Sequence, residues 1–249
     1  MTIIDELLIL LDDLGESSTE IIPTYFENPD LQVIYSALGR LVNKGLVIKK
    51  ERRSELTYSI SLHGIEKLNQ TLDAIKKTSP ETWNRQWHLV IFDIPESKRK
   101  LRDNLRNFLK TANYGMLKSS VWVSARQNKQ ELQRYSRRQG IDNYIFQLVT
   151  TADDSTYQLS LFVRQCWDWV TIERRYEMFI SQGERTLSSV KRRSRPQNQF
   201  LAKKAVFLYA EAVSIDPKLP INIAPHSRLT RKAKELYINL RPYCISSAQ

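Results

Sequence analysis

The chain has 249 residues, 41% of them hydrophobic, which is enough for two or three small domains with cores of their own and argues against a disordered chain. A net charge of +11 points to a polyanionic partner, and no stretch approaches the ~18 apolar residues of a membrane span. The two cysteines, Cys166 and Cys244, fit neither a disulfide framework nor a zinc site, and the acidic, leucine-rich start is unlike a signal peptide, so a soluble, cytoplasmic protein without a membrane partner is expected.

The first helix is expected from Ile3 to Leu14, capped by Thr2 with Asp5 and stopped at Gly15. A short segment from Ser18 to Tyr25, interrupted by Pro23, leads to the turn Asn28-Pro29-Asp30, where Asp30 can cap a second helix running to Asn43 or Lys44. At 100° per residue Leu31, Ile34, Leu38, Leu41 and Val42 share one side of that helix, and Gln32, Tyr35, Ser36, Gly39 and Asn43 the other. A merely solvated face carries Glu and Lys. Amide, hydroxyl and small side chains are what base edges in the major groove accept.

Gly45 ends the helix, and Leu46–Lys49 and Leu56–Ile60 are expected to form a hairpin. Its tip is basic, and the stretch from 40 to 53 holds Arg40, Lys44, Lys49, Lys50, Arg52 and Arg53 against Glu51 alone. Helix, polar-faced helix and basic hairpin in this order predict a winged helix-turn-helix, with the second helix in the major groove and the wing on phosphates. The DNA-contacting set is therefore Gln32, Tyr35, Ser36, Gly39, Arg40, Asn43, Lys44, Lys50, Arg52 and Arg53. Overall, however, residues 1–83 carry 9 Lys and Arg against 13 Asp and Glu, a net −4, whereas 84–155 (13 against 7) carry +6 and 156–249 (16 against 7) carry +9.

The run Ile34-Tyr35-Ser36-Ala37-Leu38-Gly39-Arg40-Leu41-Val42-Asn43-Lys44-Gly45-Leu46, then the wing and Tyr58-Ser59-Ile60-Ser61-Leu62-His63-Gly64, resembles the PaaX-like repressors, a family named for control of phenylacetate catabolism. Tyr35 departs from the arginine often found there in the family, which implies a different operator preference.

After Thr78-Ser79-Pro80, an apolar strand from His88 to Ile94, a basic helix from Ser97 to Thr111, strands at Tyr114–Leu117 and Ser119–Ser124, a helix at Lys129–Arg138 and a strand at Ile145–Val149 give the order β-α-β-β-α-β of a ferredoxin-like domain. Leu101, Leu105, Phe108 and Leu109 form the buried stripe of its first helix. Trp87–Glu96 with Arg99, Arg102 and Arg106, and later Gly115–Ser124, is similar to the central domain of the PaaX-like proteins, which itself resembles the small CRISPR-adaptation nuclease fold. In those nucleases an aspartate ending the first strand binds metal within a dimer, and Asp93 matches that position. No second acidic ligand or general base accompanies it in the motif, so neither metal nor cofactor is expected, and the resemblance implies dimerisation instead.

Helical periodicity fills the remainder, at Tyr157–Arg164, Trp167–Phe179, Phe200–Val213 and Leu229–Leu240. Cys166-Trp167-Asp168-Trp169 through Phe179, and Asp216-Pro217-Lys218-Leu219-Pro220, resemble the C-terminal domain of the same family. Trp167, Trp169, Tyr176 and Phe179 are expected in a core, and His63, His88 and His226 lack metal spacing. Lys191–Arg195 is a cationic run that suits either a solvated linker or an anionic ligand.

The chain is thus read as α+β, with a winged helix-turn-helix at 1–76, a ferredoxin-like dimerisation domain at 84–155 and a helical domain for assembly or effector binding at 156–249. No Gly-rich phosphate loop, nucleophile elbow or HExxH motif suggests an enzyme. The resemblance implies a homodimeric repressor on double-stranded operator DNA, relieved by a small anionic effector such as an acyl-CoA. A metal-dependent nuclease using Asp93 and a protein-interaction module are the alternatives.

Overall fold

The computed structural model describes residues 1–52, 55–76, 83–126, 128–151, 156–189, 195–220 and 223–244. These fall into two compact units, each assembled from separate stretches of chain. One comprises Met1–Lys77, Arg175–Ser214 and Leu229–Gln249, the other Thr78–Arg174 and Ile215–Arg228.

The first unit opens with α1 (Ile3–Leu14), started by a full capping box in which the Thr2 hydroxyl accepts from the Asp5 N–H and the Asp5 carboxylate accepts from the Thr2 N–H. A three-residue strand β1 (Glu16–Ser18) and a 3-10 turn (Ile22–Tyr25) then occupy the segment around Pro23. Asp30 caps α2 (Leu31–Asn43) through the N–H groups of Gln32 and Val33. α2 stops in a Schellman motif: Gly45, at φ +67°, donates to Val42 O, Leu46 donates to Leu41 O, and both leucines are buried.

β2 (Val47–Arg52) and β3 (Glu55–Ile60) pair in register from Val47↔Ile60 to Arg52↔Glu55, and β1 adds to the far edge of β3, giving the sheet order β1-β3-β2. Ser61 then caps α3 (Leu62–Lys76), accepting from the Gly64 N–H while its hydroxyl donates to Gly45 O. Gly64 is required there because a Cβ would collide with the Leu46 carbonyl. Helix, strand, turn, helix and two-stranded wing form a winged helix. Its core of Leu7, Leu8, Leu10, Leu11, Ile22, Ile34, Leu38 and Leu41 also contains Phe200 and Phe207 of α8 (Arg195–Ile215).

The second unit runs β4 (Gln86–Phe92), α4 (Arg99–Thr111), β5 (Gly115–Lys118), β6 (Val121–Ser124), α5 (Lys129–Gln139) and β7 (Ile145–Thr151). The sheet order β5-β6-β4-β7, antiparallel throughout, is the ferredoxin-like arrangement. Val90, Phe92 and Trp122 face Leu105, Leu109 and Leu132 in its core, while Leu101 and Phe108 pack at the margin. α6 (Thr156–Cys166) follows and belongs to this unit. Gly115 carries no Cβ because one would run into Trp167 and Cys166.

α7 (Trp169–Ser189), α8 and α9 (Ser227–Leu240) complete the chain. From Arg175 onward α7 packs in the first unit, where Phe179 meets Tyr209 at a tilt and Tyr209 stacks on Tyr237. No helix among the described residues is long and apolar enough to cross a membrane.

Candidate nucleic-acid interface

The exposed face of α2 is set by what its other face buries. Ile34, Ala37, Leu38 and Leu41 are each at most 2% exposed, and the direction opposite to them holds Gln32, Ser36, Gly39 and Asn43, flanked by Tyr35 and Arg40. All six, and Lys44 at the helix end, are exposed. Leu31, expected in the core, is instead 48% exposed, as the first residue of the helix. Val33 is also open, so the helix presents methyl groups beside its amides.

Gly39 sits mid-helix, where a Cβ would meet nothing within 4 Å. No neighbour among the described residues demands a glycine, which costs a helix interior ~0.5–1 kcal/mol relative to Ala. Tyr35 is less free than its sequence position suggests: its hydroxyl donates to Thr19 O at 3.4 Å, and burial together with nearby Tyr35 raises the pKa of Tyr58.

In the wing, Lys50 is exposed but leans 3.5 Å from Glu16, whose other oxygen accepts from Thr57. Lys50 therefore has an internal partner that a phosphate would have to displace. Arg52 ends β2, and Arg53 at the tip lies outside the described residues, as do Lys191 to Ser194 of the cationic run.

Part of the acidity of the N-terminal segment is paired inside the unit. Asp13, its side chain only 4% exposed, accepts from Lys203 at 2.8 Å and Gln199 at 2.7 Å, and Glu6 pairs with Lys204 at 2.7 Å. Thus carboxylates of α1 meet lysines of α8, while Arg40 and Lys44 of α2 are exposed. Charge counts by segment could not reveal this, because the partners are about 190 residues apart in sequence.

Asp93 follows β4 as an exposed residue whose N–H donates to Tyr144 O. Glu96, the nearest acid in sequence, is held at 2.7 Å by Arg102. Among the described residues no group of three or more His, Cys, Asp or Glu could hold a metal. The histidines differ: His63 is exposed beside Glu66, His88 has its pKa lowered by burial, and His226 is buried against Asp216 at 3.1 Å under Trp169. Asp216 also accepts from the Lys218 N–H at 2.6 Å, so the Asp216–Pro220 motif is a buried polar turn. Its pairing with His226 spans ten residues and has no sequence signature. Trp169 lies in the second unit and Tyr176 and Phe179 in the first, all three buried. Burial pushes the Cys166 thiol up to about 12 and Cys244 to about 11, the reverse of a reactive thiolate.

A groove of about 900 Å³ lies between α7 and α9 in the first unit, lined among others by Glu177, Ser181, Glu184, Arg185, Leu229 and Lys232. Lys232 pairs with Glu184 at 2.8 Å across it.

These features define a class: a winged helix with a polar exposed face on its second helix, joined to a ferredoxin-like domain and a helical C-terminal region. Residues 80–161 match the PaaX protein central Cas2-like domain and residues 167–249 the PaaX-like protein C-terminal domain. The chain belongs to the PaaX family, a membership that implies a transcriptional regulator. Among solved structures it is similar to the uncharacterized protein Rv0674 from Mycobacterium tuberculosis, at 14% identity and a TM-score of 0.50 over 96% of this chain and 88% of that one, a likeness of fold alone. No curated protein matches it.

Proposed function

We propose that this protein is a cytoplasmic, sequence-specific DNA-binding repressor, acting as a homodimer on a double-stranded operator and released by a small anionic effector, an acyl-CoA being one such molecule. The observation that carries the reading is the exposed stripe Gln32, Ser36, Gly39 and Asn43, set opposite the buried face of α2. The two amides suit adenine, which takes paired hydrogen bonds from Asn or Gln, and the open methyl groups of Leu31 and Val33 suit the thymine methyl. Arg40, Lys44, Lys50, Arg52 and Arg53 supply phosphate contacts that fix the register. Tyr35 contributes its ring. The groove between α7 and α9 is the candidate effector site, where Arg185 offers a charge to an anion and Lys232 would have to exchange its partner Glu184 for one. In this reading residues 1–76 read DNA, 84–155 dimerise and 156–249 assemble or sense. Asp93 has no catalytic role.

The test is binding to DNA flanking the gene, with and without chelator. Specific binding that survives chelator and leaves the probe intact supports the repressor. Metal-dependent cleavage would support a nuclease, and no affinity even at low salt a protein-interaction module.

A further inference from the structure

The two edges of the central sheet are built differently. β5 is four residues long, carries Lys118, and is broken by a register shift between Met116 and Lys118. These are the devices by which sheet edges are protected from pairing. β7, at the other edge, has none of them. Its seven residues, Ile145-Phe146-Gln147-Leu148-Val149-Thr150-Thr151, pair with β4 in unbroken register, carry no charge and include no proline.

β7 also exposes apolar side chains on both faces, although Ile145 packs against the core. Phe146 (61% exposed) and Leu148 (53%) lie opposite Ile91 and Leu89 on one face, and Val149 (59%) emerges on the other. Because the Asp93 N–H donates to Tyr144 O, alternation along the strand directs the N–H and C=O groups of residues 144, 146, 148 and 150 towards β4. Those of Ile145, Gln147, Val149 and Thr151 point away from the sheet.

We propose that β7 is the homodimer contact, pairing antiparallel with β7 of a second copy to join two four-stranded sheets into one of eight strands. Two arguments favour a second copy over another occupant. Copies of a chain with net charge +11 repel, so self-association needs a neutral surface, and β7 is neutral along its full length. The strand is also self-complementary. A two-fold axis at Gln147 sets Phe146 against Leu148 of the second copy and Ile145 against Val149, while the outward groups of 145, 147 and 149 complete the ladder. This rests on the repressor reading only for the reason two copies are needed.

The experiment is sedimentation of the full chain at micromolar concentration, comparing wild type with Phe146→Lys plus Leu148→Lys. Both side chains are exposed, so the fold should survive, checked by an unchanged thermal melt. The wild type should be a dimer, and the variant should dissociate at about tenfold or more higher concentration. A second variant, Gln147→Cys, places two thiols across the axis at a hydrogen-bonded pair, where Cα atoms are about 5.5 Å apart, within disulfide range. Mild oxidation should yield a covalent dimer. A monomeric wild type, or a dimer indifferent to the lysines with no Gln147→Cys cross-link, would overturn the proposal. If such a protein still bound operator, the repressor reading would stand and only this inference would fall; a β7-dependent dimer without DNA affinity would separate them in the opposite sense.

Discussion

Gly39 gives the sharpest test at the scale of one residue, because stability and binding should move in opposite directions. A methyl group at Gly39 would meet no atom within 4 Å among the described residues and would relieve the entropic cost of glycine in a helix, so Gly39→Ala should stabilise the fold by about 0.5–1 kcal/mol. The same methyl stands where DNA is proposed to approach, and operator affinity should drop about tenfold. Thermal melts and fluorescence anisotropy of one preparation measure both. A rise in stability with unchanged affinity would remove Gly39 from the interface. Asp93 allows the reverse test. It is exposed, its backbone makes the turn contact and Glu96 is tied to Arg102, so Asp93→Asn should leave operator affinity and stability within about 0.5 kcal/mol of wild type. Cleavage of DNA or RNA with Mg²⁺ or Mn²⁺, abolished in this variant, would instead establish a nuclease.

Among the elements, the wing and the reading helix should divide affinity from specificity. Arg52→Ala with Arg53→Ala should weaken binding to all sequences alike and lower the slope of log affinity against log salt by about 2, because two phosphates would no longer be neutralised. Substitution of Gln32 or Asn43 should instead change the preferred base pair with little effect on that slope. Titration of specific and random duplexes at several salt concentrations distinguishes the two, and an unchanged slope in the wing variant would remove the wing from the interface.

Across the whole molecule, what was legible in the sequence is what local rules govern. Thr2 with Asp5, Asp30 before α2, Gly45 after it, and the apolar run that becomes β4 each act within a few residues, and the structure places a cap, a helix stop and a strand there. β1 was not legible: Glu16-Ser17-Ser18 has no strand propensity, and pairing with Thr57, Tyr58 and Ser59 makes it a strand. The seating of α8 was not legible either, although a signal existed. Phe200, Ala202, Ala205, Phe207, Tyr209, Ala210 and Ala212 leave no side of the helix polar, the mark of a helix surrounded by protein rather than laid on a surface. The polar stripe of α2 was readable because burying one face of a helix determines which residues face out.

Phe200 of α8, 1% exposed and edge-on to Tyr25 and Phe26, sets an order of events in synthesis. A ribosome delivers the reading helix early, but the side chain that fills the space behind it arrives only after about four-fifths of the chain has emerged, so the usual sequence in which N-terminal domains fold first does not apply. A nascent chain arrested at residue 190 should stay sensitive to protease across residues 1–76 and should not bind operator, whereas one extended past residue 215 and clear of the exit tunnel should be protected there. Interrupted translation would then release no fragments able to occupy the operator, and repression would come only from chains made nearly to their end. Equal protection of the two arrested chains would show that the winged helix folds without α8.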